Sequence, residues 1–394
     1  MSQKEVVIAS AVRTPIGAFQ GAFQNLAAPD LGAIAAREAV KRAGARPEHV
    51  ERVIMGNVLS AGIGQAPARQ CAIKADFPVS TGAITINKVC GSGLQAVMFA
   101  RREILVGDAD VVVAGGMESM TNSPYLLMKA RSGYRMGDGQ MIDSMVHDGL
   151  WDPYDNVHMG NCGDAVAVKY GFTREDQDAF AARSYTRALA AQKAGRFKLE
   201  IVPISVPQRR GEPLLVDEDE EPKRGDVGKL SKLRPAFSRE GTVTAANASS
   251  INDGAAALLV CSADVARERG YKVIARIVAD SCAAVDPKWF TIAPVGALAK
   301  LYQKTGTKPL DWDLYEINEA FSGVTMAAAK EHSIDFDRIN VNGGAVALGH
   351  PIGCSGARVL VTLLHALKDR GKKCGIATLC IGGGEAVALA VEIV

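Results

Sequence analysis

The sequence contains no run of about 18 consecutive apolar residues, which excludes a membrane-spanning helix. It has no charge imbalance: 45 Lys and Arg against 43 Asp and Glu leave a formal charge of +2. That excludes the strongly basic surface by which nucleic acid or an anionic membrane is recognised. The eight cysteines, at 71, 90, 162, 261, 282, 354, 374 and 380, form no CxxC pair and no Cys/His group at zinc-ligand spacing. No metal site is expected. The opening residues, MSQKEVVIASAVRTP, lack the layout of a secretion signal or transit peptide, and the closing ones carry no lipidation or peroxisomal signal. The expectation is a cytoplasmic protein with reduced thiols.

What is present is an ordinary globular composition, 48% apolar and 22% charged over 394 residues, enough for two or three domains. Strand patterns over 5–12, 50–56 and 110–116 alternate with helical ones opening at Pro29, over 67–75 and after Cys90. This rhythm implies βαβ units and a mostly parallel sheet. It breaks between about 119 and 250. Residues 119–165 show no periodicity, and Thr173 with Asp176 reads as a capping box for a helix to Gly195. Residues 207–234 form a charged excursion, readable as a solvated loop or as a clamp for an anionic ligand. The rhythm returns with strands at 273–280 and 314–318 and helices at 294–306 and 321–331.

Cys90 stands between a β-like run, 83–89, and Gly91-Ser92-Gly93, where a helical pattern begins that stops at Gly107. A thiol at a helix N-terminus has its pKa lowered by unpaired N–H groups, and the glycines allow a sharp turn. Taken alone, Cys90 reads equally well as a buried structural cysteine. An internal repeat adds to this. Ser92-Gly93, helix, Gly107, strand, Gly115-Gly116 is matched by Ser355-Gly356, helix, Gly371, strand, Gly382-Gly383, with Cys90 opposite Gly353. Two similar α/β halves would bring these turns together at an interface, where ligand sites often lie. The second half also carries Asn318-Glu319-Ala320-Phe321, His350 within Gly349–Gly353, and Cys380 before three glycines. With Cys90 they offer a nucleophile, a base, a second thiol and an amide donor, a set suited to acyl transfer.

The motifs NKVCGSGLQAV, GGMESM, AANASSINDGAA, NEAF, GHPIG and CIGGG, in this order, resemble the thiolase family, and within it the biosynthetic-type acetyl-CoA acetyltransferases. The resemblance spans essentially the whole chain. It implies an α/β thiolase fold: two pseudo-twofold-related βαβαβαββ core domains in a five-layered αβαβα arrangement, plus an inserted loop domain. By that template, residues 1–118 with 251–270 form the N-terminal core domain. Residues 119–250 form a loop domain for coenzyme A binding and tetramerisation, and 271–394 the C-terminal core domain. The reaction implied is a reversible, ping-pong Claisen condensation of two acetyl-CoA to acetoacetyl-CoA and CoA through acetyl-Cys90. A degradative 3-ketoacyl-CoA thiolase of broader or longer chain length is the alternative.

Carried over by the resemblance, His350 takes the Cys90 proton to give a thiolate–imidazolium pair, and Cys380 removes the α-proton of the second acetyl-CoA. His350 and a water held by Asn318 form one oxyanion hole. The N–H groups of Cys90 and Gly382 form the other. Leu150, His158, Met159, Ala236, Phe237 and Ser249 match the coenzyme A groove, Ala320 and Phe321 lie nearer the reacting end, and Lys223 and Arg224 are phosphate candidates. No cofactor beyond coenzyme A as substrate is implied. Cys354, where the family usually has alanine, reads as packing. Residues 217–233 and the WFTIAPV segment resemble potassium-binding mitochondrial-type members. Those carry a tyrosine where Pro222 stands, which counts against a potassium site and against acceptance of 2-methyl-branched substrates. Family members are commonly homotetramers, dimers of dimers, and residues 119–140 resemble the loop that joins the dimers.

Overall fold

The computed structural model describes residues 4–394. Among these, nine long strands form one continuous sheet: β1 (Val6–Arg13), β2 (Arg52–Gly56), β3 (Gly82–Ile86), β4 (Val111–Ser119), β5 (Asn252–Ser262), β6 (Ala275–Ala284), β7 (Leu314–Ile317), β8 (Cys374–Ile381) and β9 (Glu385–Ile393). Their spatial order is β3-β2-β4-β5-β1-β6-β9-β8-β7. The first half of the chain builds one end of this sheet and the second half the other. They join where Val7 and Ile8 pair with Arg276 and Ala275.

The sheet is mixed rather than mostly parallel. Strand β2 runs parallel to β3 and β4, and β7 to β8, but the remaining pairings are antiparallel. Each half ends by turning its last strand back beside its own earlier strands, and the strand rhythm along the sequence does not report that reversal. The halves also differ. The counterpart of β3 in the second half shrinks to a single parallel bridge between Tyr315 and Ile339.

The helices are α1 (Ala28–Ala43), α2 (Pro67–Lys74), α3 (Ser92–Val106), α4 (Met159–Tyr170), α5 (Arg174–Lys193), α6 (Ala263–Arg269), α7 (Ala293–Thr305), α8 (Ser322–His332), α9 (Ala345–Leu348) and α10 (Ile352–Asp369). Alternation along each strand divides the core into layers. Val111 and Val113 pack outward with Leu31, Ala35 and Ala39 of α1, whereas Val112 and Ala114 pack inward with Leu94, Val97 and Met98 of α3. The inner layer also holds Leu360, Leu363 and Leu367 of α10 and, from the second half's sheet, Leu379 and Leu389. Leu298 and Leu301 of α7 and Ala328 of α8 cover that sheet's outer face. The sequence of layers is thus α, β, α, β, α. Helix α10 is buried on nearly all sides, its polar Ser355, Arg358 and Thr362 included, because it lies in the middle layer.

The repeat explains how α3 and α10 cross. A Cβ on Gly93 would stand 2.6 Å from the Ala357 backbone nitrogen, and one on Gly356 would strike the Leu94 nitrogen. The glycine of each Ser-Gly pair is the room the other helix needs. Between the halves, 119–250 contains the helices α4 and α5 and short ladders of two or three residue pairs. Thr173 caps α5 as its sequence foretells: its Oγ1 accepts from Asp176 N at 3.1 Å, and Asp176 accepts from Thr173 N at 2.9 Å. Helix α4 has no forewarning in the Met- and Gly-rich stretch before it.

The charged excursion is not a freely solvated loop. Asp219 is buried, accepts two bonds from Arg13 at 2.6 and 2.9 Å, and takes the Ile16 N–H at 2.8 Å. Glu220 accepts from Ala18 N and Ala22 N. Its acidic half therefore fastens the insert to the first core domain. Among the described residues, no helix is long and apolar enough to cross a membrane.

Candidate active site

The two turns that begin α3 and α10 meet at one cavity of about 460 Å³, lined by both Cys90 and His350. Cys90 is 4% exposed, at the base of this opening. The conformational strain lies two residues before the first of the glycines: Val89 has φ of +45°, while Gly91 has −78°. A β-branched residue in the left-handed region costs about 1–3 kcal/mol and persists only where its surroundings hold it. Ser92 supplies the hold. Its Oγ accepts from Lys88 N at 2.8 Å and donates to Val89 O at 2.7 Å. Gly91 serves proximity, since a Cβ there would strike Ile381.

His350 is held from both sides. Its backbone N–H donates to Asn252 Oδ1 at 2.9 Å, and its Nδ1 lies 2.6 Å from Ser355 Oγ. Ser355 donates its hydroxyl proton to Pro351 O at 2.9 Å. Its oxygen is then an acceptor for an Nδ1–H, which assigns the proton to Nδ1 and leaves Nε2 with a free lone pair. Asn318 Nδ2 approaches the ring at 3.4 and 3.5 Å.

Burial governs the charges. It drives the His350 imidazole down to about 3, with Arg358 adding to the effect. It pushes the Cys90 thiol up to about 11, although the N–H groups of Gly382 and of Cys90 itself are aimed at the sulfur and favour the thiolate. The thiolate–imidazolium pair read from the sequence is thus replaced, in the free chain, by a neutral thiol beside a neutral imidazole. The helix-end effect has the expected sign and is outweighed by desolvation. Burial holds the Cys380 thiol well above its ordinary range too, and a charge on Cys90 would raise it further.

Asn318, Cys380 and Gly382 stand just behind the cavity wall. Cys380 is fully buried in a cluster with Ala320, Phe321, Phe290 and Cys162. Gly382 directs its N–H at Cys90, and a Cβ there would strike the Met159 methyl group. The cavity itself is lined by Leu150, His158, Met159, Arg224, Ala236, Phe237, Ser249, Ala320 and Phe321. The structure builds this wall by local devices. His158 caps α4, its Nδ1 accepting from Gly160 N at 3.1 Å, and stacks on Phe237 at 4.6 Å. Ser249 binds Ala320 O through both its N–H and its hydroxyl. Lys223 is separated from this group: it turns to Glu218 on the surface and does not line the cavity. Cys354 is fully buried, with its thiol pushed up to about 12, and sits in the middle-layer core.

The structure adds residues that sequence reasoning missed. Phe19, Met120, Glu221, Phe290 and Ile352 also line the cavity. Glu118 is fully buried and takes four donors, from Asn57 Nδ2, Val58 N, Leu59 N and Gly353 N. Burial pushes its carboxyl up to about 7 against those donors. Glu118 lies within the GGMESM motif and Ser355 within the repeat, so both had a signal. Phe19 had none.

A core of two packed sheet layers with paired helix turns, a buried thiol and a neutral imidazole on one cavity, and N–H groups aimed at the sulfur define an enzyme of covalent acyl transfer. The chain matches the family model of the thiolase N-terminal domain over residues 6–264 and that of the thiolase C-terminal domain over 271–393. It belongs to the thiolase family. An acetyl-CoA acetyltransferase of Allochromatium vinosum is 53% identical over 390 residues, covering 99% of each chain. One of Cupriavidus necator is 52% identical over 98% of this chain and 99% of its own. The crystal structure of the Bacillus anthracis acetyl-CoA acetyltransferase matches with a TM-score of 0.97 at 44% identity, covering 100% of this chain and 99% of that one. The Acat5 thiolase of Ascaris suum in complex with coenzyme A matches with 0.95 at 44% identity, covering 99% and 100%.

Proposed function

We propose that this chain is an acetyl-CoA C-acetyltransferase that interconverts two acetyl-CoA with acetoacetyl-CoA and CoA through acetyl-Cys90. The observation that carries this is the convergence of Cys90, His350 and the nine coenzyme A candidates Leu150 to Phe321 on one cavity. The names of the relatives support the same substrate. In the first half-reaction, His350 Nε2 takes the Cys90 proton as the sulfur attacks the thioester carbonyl. The tetrahedral oxygen is received by the N–H groups of Cys90 and Gly382. Cys380, held protonated by burial, gives its proton to the departing CoA sulfur. It is then a thiolate, and burial makes it a strong base for the α-proton of the second acetyl-CoA. Protonated His350 and the Asn318 amide, through a water, receive the enolate oxygen. The enolate carbon attacks acetyl-Cys90, and the released thiolate recovers its proton from His350.

Arg224 on the cavity wall is the phosphate-side cation, and Lys223 is dropped from that role. Phe237, Phe290 and Phe321 meet edge-to-face along the wall, which favours short acyl groups over long ones. Pro222 is buried and brings no side-chain oxygen, which counts against a potassium site there. A homotetramer fits the exposed Tyr125, Met128, Met136 and Met141 of the 119–140 region and its edge. Eight free cysteines suit a reducing compartment such as the cytoplasm. Incubation with acetyl-CoA tests the proposal: an acetyl adduct on Cys90 and release of acetoacetyl-CoA are expected. Faster thiolysis of a long-chain 3-ketoacyl-CoA than of acetoacetyl-CoA would overturn the substrate assignment.

A further inference from the structure

Behind the site lies a buried guanidinium–carboxyl pair that the chemistry above does not use, its Glu316 carboxyl pushed up to about 8 by burial against the pull of Arg358. Arg358 on α10 and Glu316 on β7 are each 1% exposed. One guanidinium nitrogen, Nη1, lies 3.5 Å from Glu316 Oε2, and the other, Nη2, lies 3.5 Å from Asn318 Oδ1. Both contacts are long, and Arg358 Nε and Glu316 Oε1 have no partner among the described residues. A buried ion pair of this geometry is a poor stabiliser, because desolvating both charges costs more than a loose pairing returns. Stability does not account for its presence.

Its position does. Glu316 and Asn318 are two residues apart at the end of β7 and share a face. Arg358 is three residues beyond Ser355 on α10, hence on the same side of that helix as the hydroxyl that orients His350. A primary amide has an acceptor end and a donor end, and a guanidinium offers donors only. With Arg358 at its oxygen, the NH2 of Asn318 must face the His350 ring, where Nδ2 is found 3.4 Å from Nε2. The reversed amide would take a hydrogen from the bridging water instead of giving it one, and so weaken that water as a donor to the developing enolate oxygen.

We propose that Arg358 is a positioning residue that grips the Asn318 oxygen and so turns the amide N–H groups toward His350 and the reacting oxygen. This rests on the functional reading above.

The test separates the half-reactions. The E316L/R358M variant removes both charges with little change of volume and leaves no unpaired buried charge. It is expected to acetylate Cys90 within about twofold of the parent rate, while condensation kcat falls about 10- to 100-fold with KM little changed. In an N318A background the same pair of substitutions is expected to cost nothing further. R358K keeps the charge but loses the fork that reaches both partners. It serves if the first variant does not fold, with the same selective loss expected. Unimpaired condensation, an equal fall in both half-reactions, or an undiminished loss in the N318A background would overturn the proposal. Failure of the parent chain to acetylate Cys90 would instead strike the functional reading, and the proposal with it.

Discussion

The two halves carry the same Ser-Gly pair near the start of their central helices, at the first residue of α3 and one turn into α10, and the two serines act differently. Ser92 ties down Lys88 and Val89, fixing the strained turn that presents Cys90. Ser355 binds Pro351 O and the His350 ring, fixing the tautomer of the base. The strands that follow diverge as well. In the first half, β4 continues past Gly115-Gly116 to Glu118, which binds backbone N–H groups of both halves. In the second, β8 ends at Ile381, and the glycines after it turn the chain so that the Gly382 N–H meets Cys90. A duplicated scaffold supplies the same rigid turn twice. In the proposed mechanism one copy carries the nucleophile, and the other carries the base, the second thiol and a donor.

Four experiments sharpen this division. Cys90→Ala should abolish acyl transfer, with a loss of at least about 10⁴-fold, since nothing at the equivalent Gly353 can replace the sulfur. Residual thiolysis above that level would place the nucleophile elsewhere. Gly382→Ala should lower turnover about 100-fold without unfolding the chain, because the new methyl group meets Met159 and moves the N–H off the developing oxyanion. Wild-type kcat would deny that donor its role. Alkylation of Cys90 in the free chain should rise about tenfold per pH unit from pH 7 to 9, because the thiol, raised to about 11, is mostly protonated there and the thiolate is the reactive form. A rate already level near pH 8 would restore the thiolate–imidazolium pair. Glu118→Ala should reduce stability to urea by about 3 kcal/mol, since it strands donors from both halves. An unchanged midpoint would show that the halves hold together without it.

Much of this site was legible in the sequence because its parts are local. Cys90 before a helix, His350 among backbone-restricting residues, the Thr173 cap and the helix stop at Gly107 are each set by a few neighbouring residues. What was not legible depends on pairing at a distance. Arg13 finds Asp219 across 206 positions, Phe19 reaches the cavity from the segment that follows β1, and the antiparallel returns of β5 and β9 follow from packing rather than rhythm. The thiol's charge state belongs to the same group. The helix end that favours the thiolate is visible in the motif, whereas the burial that outweighs it is the sum of both halves closing over Cys90.

The central claim is that Cys90 of one half holds the acyl group while Cys380 of the other moves the protons. The most direct measurement follows Cys380→Ser with acetyl-CoA, reading the Cys90 adduct by intact-mass and peptide mass spectrometry alongside acetoacetyl-CoA formation. The account predicts that Cys90 still becomes acetylated, more slowly because the leaving sulfur has lost its acid, while condensation falls much further, by at least about 100-fold. Loss of both half-reactions in equal measure, or condensation at the parent rate, would contradict it.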